Sequence, residues 1–165
     1  MNRKRLVISS IVGTGISSVA VQLITIREFL TIFYGNEVVI SLILFFWLFL
    51  TGMGSFLAIF LKRPSILLFS LLIFLIGVLP LGQIIAIRVF RDVVFTHGVS
   101  IGFNEILVYT LLTVAPYCLL VGFILPYSQE ILKDQGYLFT SGSLYQLDSI
   151  GDIIGGILFS FILVY

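Results

Sequence analysis

Long apolar runs alternate with short polar stretches along this chain. The runs cover about 6–26, 38–61, 65–87, 106–125 and 143–165. Each is close to the roughly 20 residues that a helix needs to cross the hydrocarbon core of a bilayer. Backbone groups inside a bilayer must bond within their own segment, so the runs are expected to be helices, and none alternates like a membrane β-strand. The pattern predicts an all-α integral membrane protein with about five transmembrane helices in a single domain, 1–165.

The first and fourth runs have features that bear on their boundaries. A basic start and Ser18-Val19-Ala20 leave open that the first run is a cleaved signal peptide, although a retained span is preferred. In the fourth run, Pro116 lies inside and Pro126 is expected to close the helix.

Composition agrees with the membrane prediction. Hydrophobic residues make up 59% of the chain and charged residues 10%, whereas soluble domains have about 45–50% and about 25%. A net charge of +1 offers no basic surface, so nucleic acid is not expected as a partner. The single cysteine, Cys118, excludes an internal disulfide.

The positions of lysine and arginine favour a cytoplasmic N-terminus. Cytoplasmic ends of membrane helices carry an excess of these residues. With five spans, the predicted inner side has six, Arg3, Lys4, Arg5, Lys62, Arg63 and Lys133. The outer side has three, Arg27, Arg88 and Arg91. A multi-pass protein of a bacterial or archaeal cytoplasmic membrane is expected.

Polar residues at the predicted outer helix ends form a first candidate site. They are Arg27, Glu28, Asn36, Glu37, Asn104 and Glu105. This outer-side polar cluster is a candidate vestibule or docking surface. The alternative is ordinary capping of helix ends, where carboxylates favour the helix N-terminus.

A second candidate site is intramembrane and acidic. Asp148 and Asp152 are four residues apart, so they share one face of the fifth helix. Because charges inside a bilayer are costly, the pair is a candidate for binding a cation or relaying protons. The alternative is that both lie at the inner interface, solvated or bonded to a neighbouring helix. Small residues that let helices approach closely are predicted at Gly52, Gly54, Gly151, Gly155 and Gly156.

The residues that most catalytic and cofactor sites require are sparse in this sequence. The only histidine, His97, is predicted in a loop, which disfavours an intramembrane haem with two histidine ligands or a serine–histidine–acid triad. There is no Cys/His cluster for zinc or iron–sulfur and no glycine-rich phosphate loop. We expect no cofactor, no metal and no catalytic residue.

Polar or glycine-containing motifs lie at residues 26–30 and 33–37, at 50–55 with its glycines, at 145–151, and at Gly155-Gly156. Together these stretches resemble the N-terminal membrane region of membrane-bound spermidine synthase-like proteins. The resemblance implies a membrane part that precedes a soluble Rossmann-like domain, which would bind decarboxylated S-adenosylmethionine and a polyamine. No sequence of that domain is present, so the resemblance transfers no catalytic residue.

Three functional hypotheses follow from the sequence. The preferred one is a non-catalytic membrane subunit or anchor of a larger complex in the lipid bilayer, with redox proteins among the candidate partners. The second is an oligomeric transporter or half-transporter of a cation or polyamine, in which Asp148 and Asp152 bind the substrate. The third, implied by the resemblance, is a polyamine synthase-like enzyme whose catalytic domain is missing here.

Overall fold

A computed structural model describes five helices and parts of the segments between them. The described residues are 3–34, 37–61, 64–95, 102–137 and 139–163. The helices are α1 Arg3–Ile32, α2 Glu37–Ala58, α3 Ile66–Val94, α4 Phe103–Asp134 and α5 Ser141–Leu158, and a π-helical turn, Phe159–Leu163, continues α5. Over these residues the protein is all-helical and contains no strand.

Four of the helices are long and apolar enough to cross a membrane. These segments are Lys4–Ile32, Glu37–Ala58, Ile66–Arg91 and Phe103–Asp134. The count differs from the predicted five because α5 contains several polar residues, with Gln146, Asp148 and Asp152 among them. The architecture is compatible with a multi-pass membrane protein.

Helices α1, α3 and α4 extend well past the apolar runs in the sequence. Helix α1 continues through Arg27 and Glu28 to Ile32. Helix α4 does not end at Pro126, as predicted, but continues to Asp134. Proline removes the N–H that would bond the carbonyl four residues earlier, here that of Gly122. The Ser55 hydroxyl of α2 donates to that carbonyl at 2.8 Å, so the freed acceptor is satisfied and the helix can continue.

The actual end of α4 is a glycine turn. Gly136 has a φ of 78°, a left-handed conformation that suits glycine at a helix C-terminus. The following N–H, of Tyr137, donates to the carbonyl of Leu132 at 2.9 Å. This turn reverses the chain toward α5, whose N-cap Thr140 accepts a hydrogen bond from the N–H of Ser143.

The helices form a bundle in which directions alternate along the chain. Helices α1, α3 and α5 run in one direction, and α2 and α4 in the other. Contacts Val12–Gly151 and Ile16–Gly155 make α5 parallel to α1, and Thr25–Gln83 and Glu28–Arg88 make α3 parallel to α1. Contacts Trp47–Tyr117 and Ser55–Gly122 make α4 parallel to α2. Contacts Ser65–Tyr127 and Ile87–Tyr109 make α4 antiparallel to α3. The first helix and the fifth are therefore side by side and parallel.

Two clusters of buried side chains hold the bundle together. The larger one joins α2, α3 and α4 to α1 and includes Trp47, whose ring lies 5.8 Å from that of Tyr117. The smaller one lies toward the C-terminal end of α1 and includes four aromatic rings: Phe29, Phe33 and Phe95 surround Tyr109. Tyr109 also donates a hydrogen bond to the carbonyl of Ile87. Ring packing and this hydrogen bond from α4 to α3 therefore help to fix this end of the bundle.

Candidate functional site

The outer-side polar cluster contains one charge pair that connects two helices. Glu28 of α1 accepts from Arg88 of α3 through both carboxylate oxygens, at 2.8 Å from Nε and 2.7 Å from an Nη atom. Such a two-pronged geometry is the strongest that arginine makes with a carboxylate. Glu28 was predicted to belong to this cluster, whereas its pairing with Arg88 was not predicted from the sequence.

The other members of this cluster have separate surroundings. Arg27 and Glu37 are exposed, and Glu37 lies in the first turn of α2. Glu105 accepts from the N–H of Gly102 at 3.2 Å, so it caps the start of its own helix next to the exposed Asn104. Asn36 lies outside the described residues. The described geometry of Glu105 corresponds to capping, the alternative considered for this cluster.

Helices α1 and α5 meet at three glycines with almost no space between them. A Cβ added at Gly15 would collide with the carbonyl oxygen of Asp148, and one at Gly151 would collide with that of Val12. A Cβ at Gly155 would lie 2.7 Å from the carbonyl oxygen of Ile16. Such backbone-to-backbone contact is typical of small-residue packing between membrane helices.

The acidic pair lies along this same interface. The backbone of Asp148 and Asp152 is level with Gly15, which is ten residues after Arg5 and therefore about 15 Å further along α1. Both aspartates are partly buried. Among the described residues, neither carboxylate has a hydrogen bond or an ion pair. The pair therefore differs from Glu28, which has Arg88.

The remaining predicted glycines differ in their surroundings. Gly54 of α2 packs against α4, where a Cβ would collide with the carbonyl oxygen of Leu119. Gly156 lies near Val19, with 3.9 Å between its hypothetical Cβ and Cγ1 of the valine. Gly52 is exposed and nothing lies within 4 Å of its Cβ position, so it makes no close helix contact within the described structure. Gly122 was missed, and it packs on Thr51 opposite Gly54.

A cavity of about 400 Å³ between α3 and α4 was not foreseen from the sequence. Its lining is apolar apart from a few side chains, including the amide of Gln83. Gln83 is 7% exposed and donates through Nε2 to Oγ1 of Thr25 at 3.0 Å. Its Oε1 is buried and has no partner in the part of the chain that the structure describes. An amide inside an otherwise apolar run was the available signal for this position.

The described residues offer few side chains that could bind a metal ion or act as a nucleophile. These residues contain no group of three or more histidine, cysteine, aspartate or glutamate side chains close enough to hold a metal ion. His97 lies outside them. Cys118 is a buried free cysteine within the larger cluster.

Comparisons with known proteins add no assignment to this geometry. No family model matches the chain, and no curated protein or solved structure is significantly similar to it.

Proposed function

We propose that this chain is a non-catalytic, multi-pass subunit that anchors or organises a larger complex in a bacterial or archaeal cytoplasmic membrane. The observation that carries the proposal is the acidic pair on α5, Asp148 and Asp152, which has no bonding partner among the described residues. A charged side chain near the bilayer centre costs about 2.5–3.5 kcal/mol on insertion scales unless a partner compensates it. A basic or hydrogen-bonding side chain from another subunit supplies that compensation.

The proposal includes α5 as a fifth span, with the N-terminus in the cytoplasm. Helix α5 and its π-helical turn together cover 141–163, and a helix of that length reaches about 34 Å at 1.5 Å per residue, enough for a core of about 30 Å. Parallel packing of α5 on α1 supports this, because an odd number of spans makes the first and last helices parallel. Lys4 and Arg5 lie in the first turn of α1, and Lys133 lies at the same end of the bundle, which agrees with a positive cytoplasmic side.

The outer surface of the bundle supports association with other membrane proteins. Helix α2 and the turn after it expose a row of large aromatic side chains, Phe45, Phe49 and Phe56 on the helix and Phe60 in the turn. Gly52 lies on the same helix with open space at its Cβ position, so a neighbouring helix can approach closely there. This surface and the acidic pair give a subunit two places for contact.

Co-purification from native membranes tests the proposal. The wild-type chain and the variant Asp148→Asn/Asp152→Asn are purified in mild detergent and the bound proteins are identified by mass spectrometry. The control, Glu130→Gln/Asp134→Asn, removes the same charge from the exposed end of α4. We expect stoichiometric partner chains with the wild type and the control, and their loss with the aspartate variant.

Two results would contradict the proposal. Partners retained by the aspartate variant would show that the acidic pair does not bind them. A wild-type homo-oligomer without other chains would favour the transporter hypothesis, in which case uptake of a cation or polyamine into vesicles should depend on the same two aspartates.

A further inference from the structure

We propose that a groove between α2 and α5 is the docking site for one transmembrane helix of a different protein, and that this helix carries a lysine or arginine opposite Asp148 and Asp152. The inference rests on the subunit proposal. It adds the place of the contact, the form of the partner segment and its charge.

The cytoplasmic end of the groove is a cavity of about 230 Å³ between α2, α4 and α5. Ser55 and Ile59 line it on the side of α2, Ser141 and Tyr145 line it on the side of α5, and α4 contributes residues that include Gln129. Ile59 is 68% exposed and Tyr145 is 55% exposed. The cavity therefore opens to the outside of the bundle between the ends of these two helices.

The wall on α5 continues from the cavity into the acidic pair. Ser141, Tyr145, Asp148 and Asp152 follow one another at intervals of four, three and four residues, which places them along one face of the helix. The two carboxylates therefore lie about one turn and two turns beyond Tyr145. Among the described residues, neither carboxylate has an ion pair or a hydrogen bond.

The wall on α2 has the same spacing and leaves open space. Leu48, Gly52, Ser55 and Ile59 are separated by four, three and four residues, and α2 runs in the opposite direction to α5. Gly52 is therefore displaced from Ser55 in the direction in which Asp148 is displaced from Tyr145. Nothing in the described structure lies within 4 Å of the Cβ position of Gly52, so the groove is open beside the acidic pair.

The charge and shape of the groove indicate what fills it. An unpaired carboxylate inside a bilayer is costly, and a basic side chain compensates it. A polypeptide segment that crosses the bilayer alone must be a helix, because a helix bonds its backbone groups internally, and an open glycine lets such a helix approach closely. The cavity is smaller than the range of about 300–1,000 Å³ that is usual for small-molecule sites. It therefore suits a side chain of the docked helix better than a free ligand.

A second copy of this chain does not supply the basic residue at the required level. In the five described helices, lysine and arginine lie only near helix ends, and the one furthest inside is Arg88, six residues before the end of α3 at Val94. The acidic pair is level with Gly15, ten residues after Arg5. The basic residue should therefore lie about ten residues from the cytoplasmic end of the partner's span.

Photo-crosslinking in native membranes tests the groove. Benzoylphenylalanine replaces Tyr145 in the groove or, as a matched control, Phe74, an exposed aromatic residue of α3. The joined peptides are identified by mass spectrometry. From position 145 we expect one partner chain, joined through a transmembrane segment with a lysine or arginine about ten residues from its cytoplasmic end. From position 74 we expect adducts with lipid only.

Charge variants test the pairing. Asp148→Asn/Asp152→Asn should lower the yield of the adduct from position 145 by about tenfold or more, because the basic residue of the partner loses its compensation. Glu130→Gln/Asp134→Asn removes the same charge from the exposed end of α4 and should leave the yield unchanged. Neutralising the basic residue of the partner should lower the yield as much as the aspartate variant does.

A size variant tests the groove without changing its charge. Gly52→Leu adds a side chain to the open space and should lower the yield by about tenfold or more through overpacking against the docked helix. Gly77→Leu makes the same change at an open position of α3 and should leave the yield unchanged. Because Gly52→Leu keeps both aspartates, the groove remains testable if the aspartate variant does not fold.

Each contrary result overturns the inference. Adducts from position 145 with lipid only, or with a second copy of this chain, would exclude the assigned occupant. A joined segment without a lysine or arginine, or a yield that Gly52→Leu leaves unchanged, would exclude the assigned contact. If partner chains still co-purify through the aspartates, these results refute the groove alone and leave the subunit proposal standing. If no partner chain co-purifies with the wild type, both fail.

Discussion

Replacing Ser55 by alanine should destabilise the bundle by removing the hydroxyl that bonds the Gly122 carbonyl. That carbonyl has lost its usual helical donor because residue 126 is proline. Hydrogen bonds between membrane helices are worth about 0.6 kcal/mol on average and up to about 1.7 kcal/mol. The carbonyl here has no helical N–H, so we expect a loss of about 1 kcal/mol in the free energy of unfolding.

A second substitution makes this prediction specific. Pro126→Ala restores an N–H four residues after Gly122, so the carbonyl keeps a donor when the Ser55 hydroxyl is removed. Ser55→Ala should then cost close to zero in the Pro126→Ala background. The double-mutant cycle is expected to give a coupling of about 0.5–1 kcal/mol.

The assay is equilibrium unfolding in lipid–detergent mixtures, followed by the fluorescence of Trp47. Trp47 lies at the same α2–α4 interface and is the only tryptophan in the chain. Ser70→Ala, at an exposed position of α3, is the matched control and should change little. An equal cost for Ser55→Ala in both backgrounds would refute the argument that the hydroxyl replaces the missing N–H.

Three further predictions concern contacts between helices. Gly15→Leu should destabilise the α1–α5 contact by about 1–3 kcal/mol or more through overpacking, whereas Gly13→Leu should be tolerated because nothing lies within 4 Å of its Cβ position; unfolding curves compare the two. Glu28→Gln should lower the midpoint of thermal unfolding, and Arg88→Lys should lower it as well because lysine cannot form the two-pronged pair. The double variant Glu28→Arg/Arg88→Glu exchanges the two charges, and a restored midpoint would check the pairing. Tyr117→Phe should lower the free energy of unfolding by about 0.6–1.7 kcal/mol, because it removes the hydroxyl that bonds Ser17 of α1. Equilibrium unfolding curves that match the wild type would contradict this prediction.

The helices were predictable from the sequence, but several of their ends were not. Apolar runs of membrane length predicted an all-helical protein, because a helix bonds all of its backbone groups within its own segment. Over the described residues this prediction is confirmed. The predicted end of α4 at Pro126 was wrong. The Gly122 carbonyl, which loses its helical donor to that proline, accepts instead from Ser55, far away in the sequence. Tertiary partners of this kind are invisible to a boundary rule that considers only neighbouring residues.

The candidate site residues divide in the same way. Spacing alone put Asp148 and Asp152 on one helix, but only the fold shows that they lie beside α1 and level with Gly15. The pairing of Glu28 with Arg88 and the unpaired oxygen of Gln83 both depend on which helices are neighbours. The resemblance to spermidine synthase-like membrane regions stays a prediction.

The parallel contact of α1 with α5 has a consequence for biosynthesis. The glycines of α5 are synthesised after α2, α3 and α4, so α1 is made well before the helix that it packs against most closely. Until then, the backbone around Gly15 stays uncovered on the side that α5 later occupies. Of the five described helices, α1 is therefore made first but completes its packing only with the last of them, and a truncation ahead of Gly151 leaves α1 without its closest neighbour.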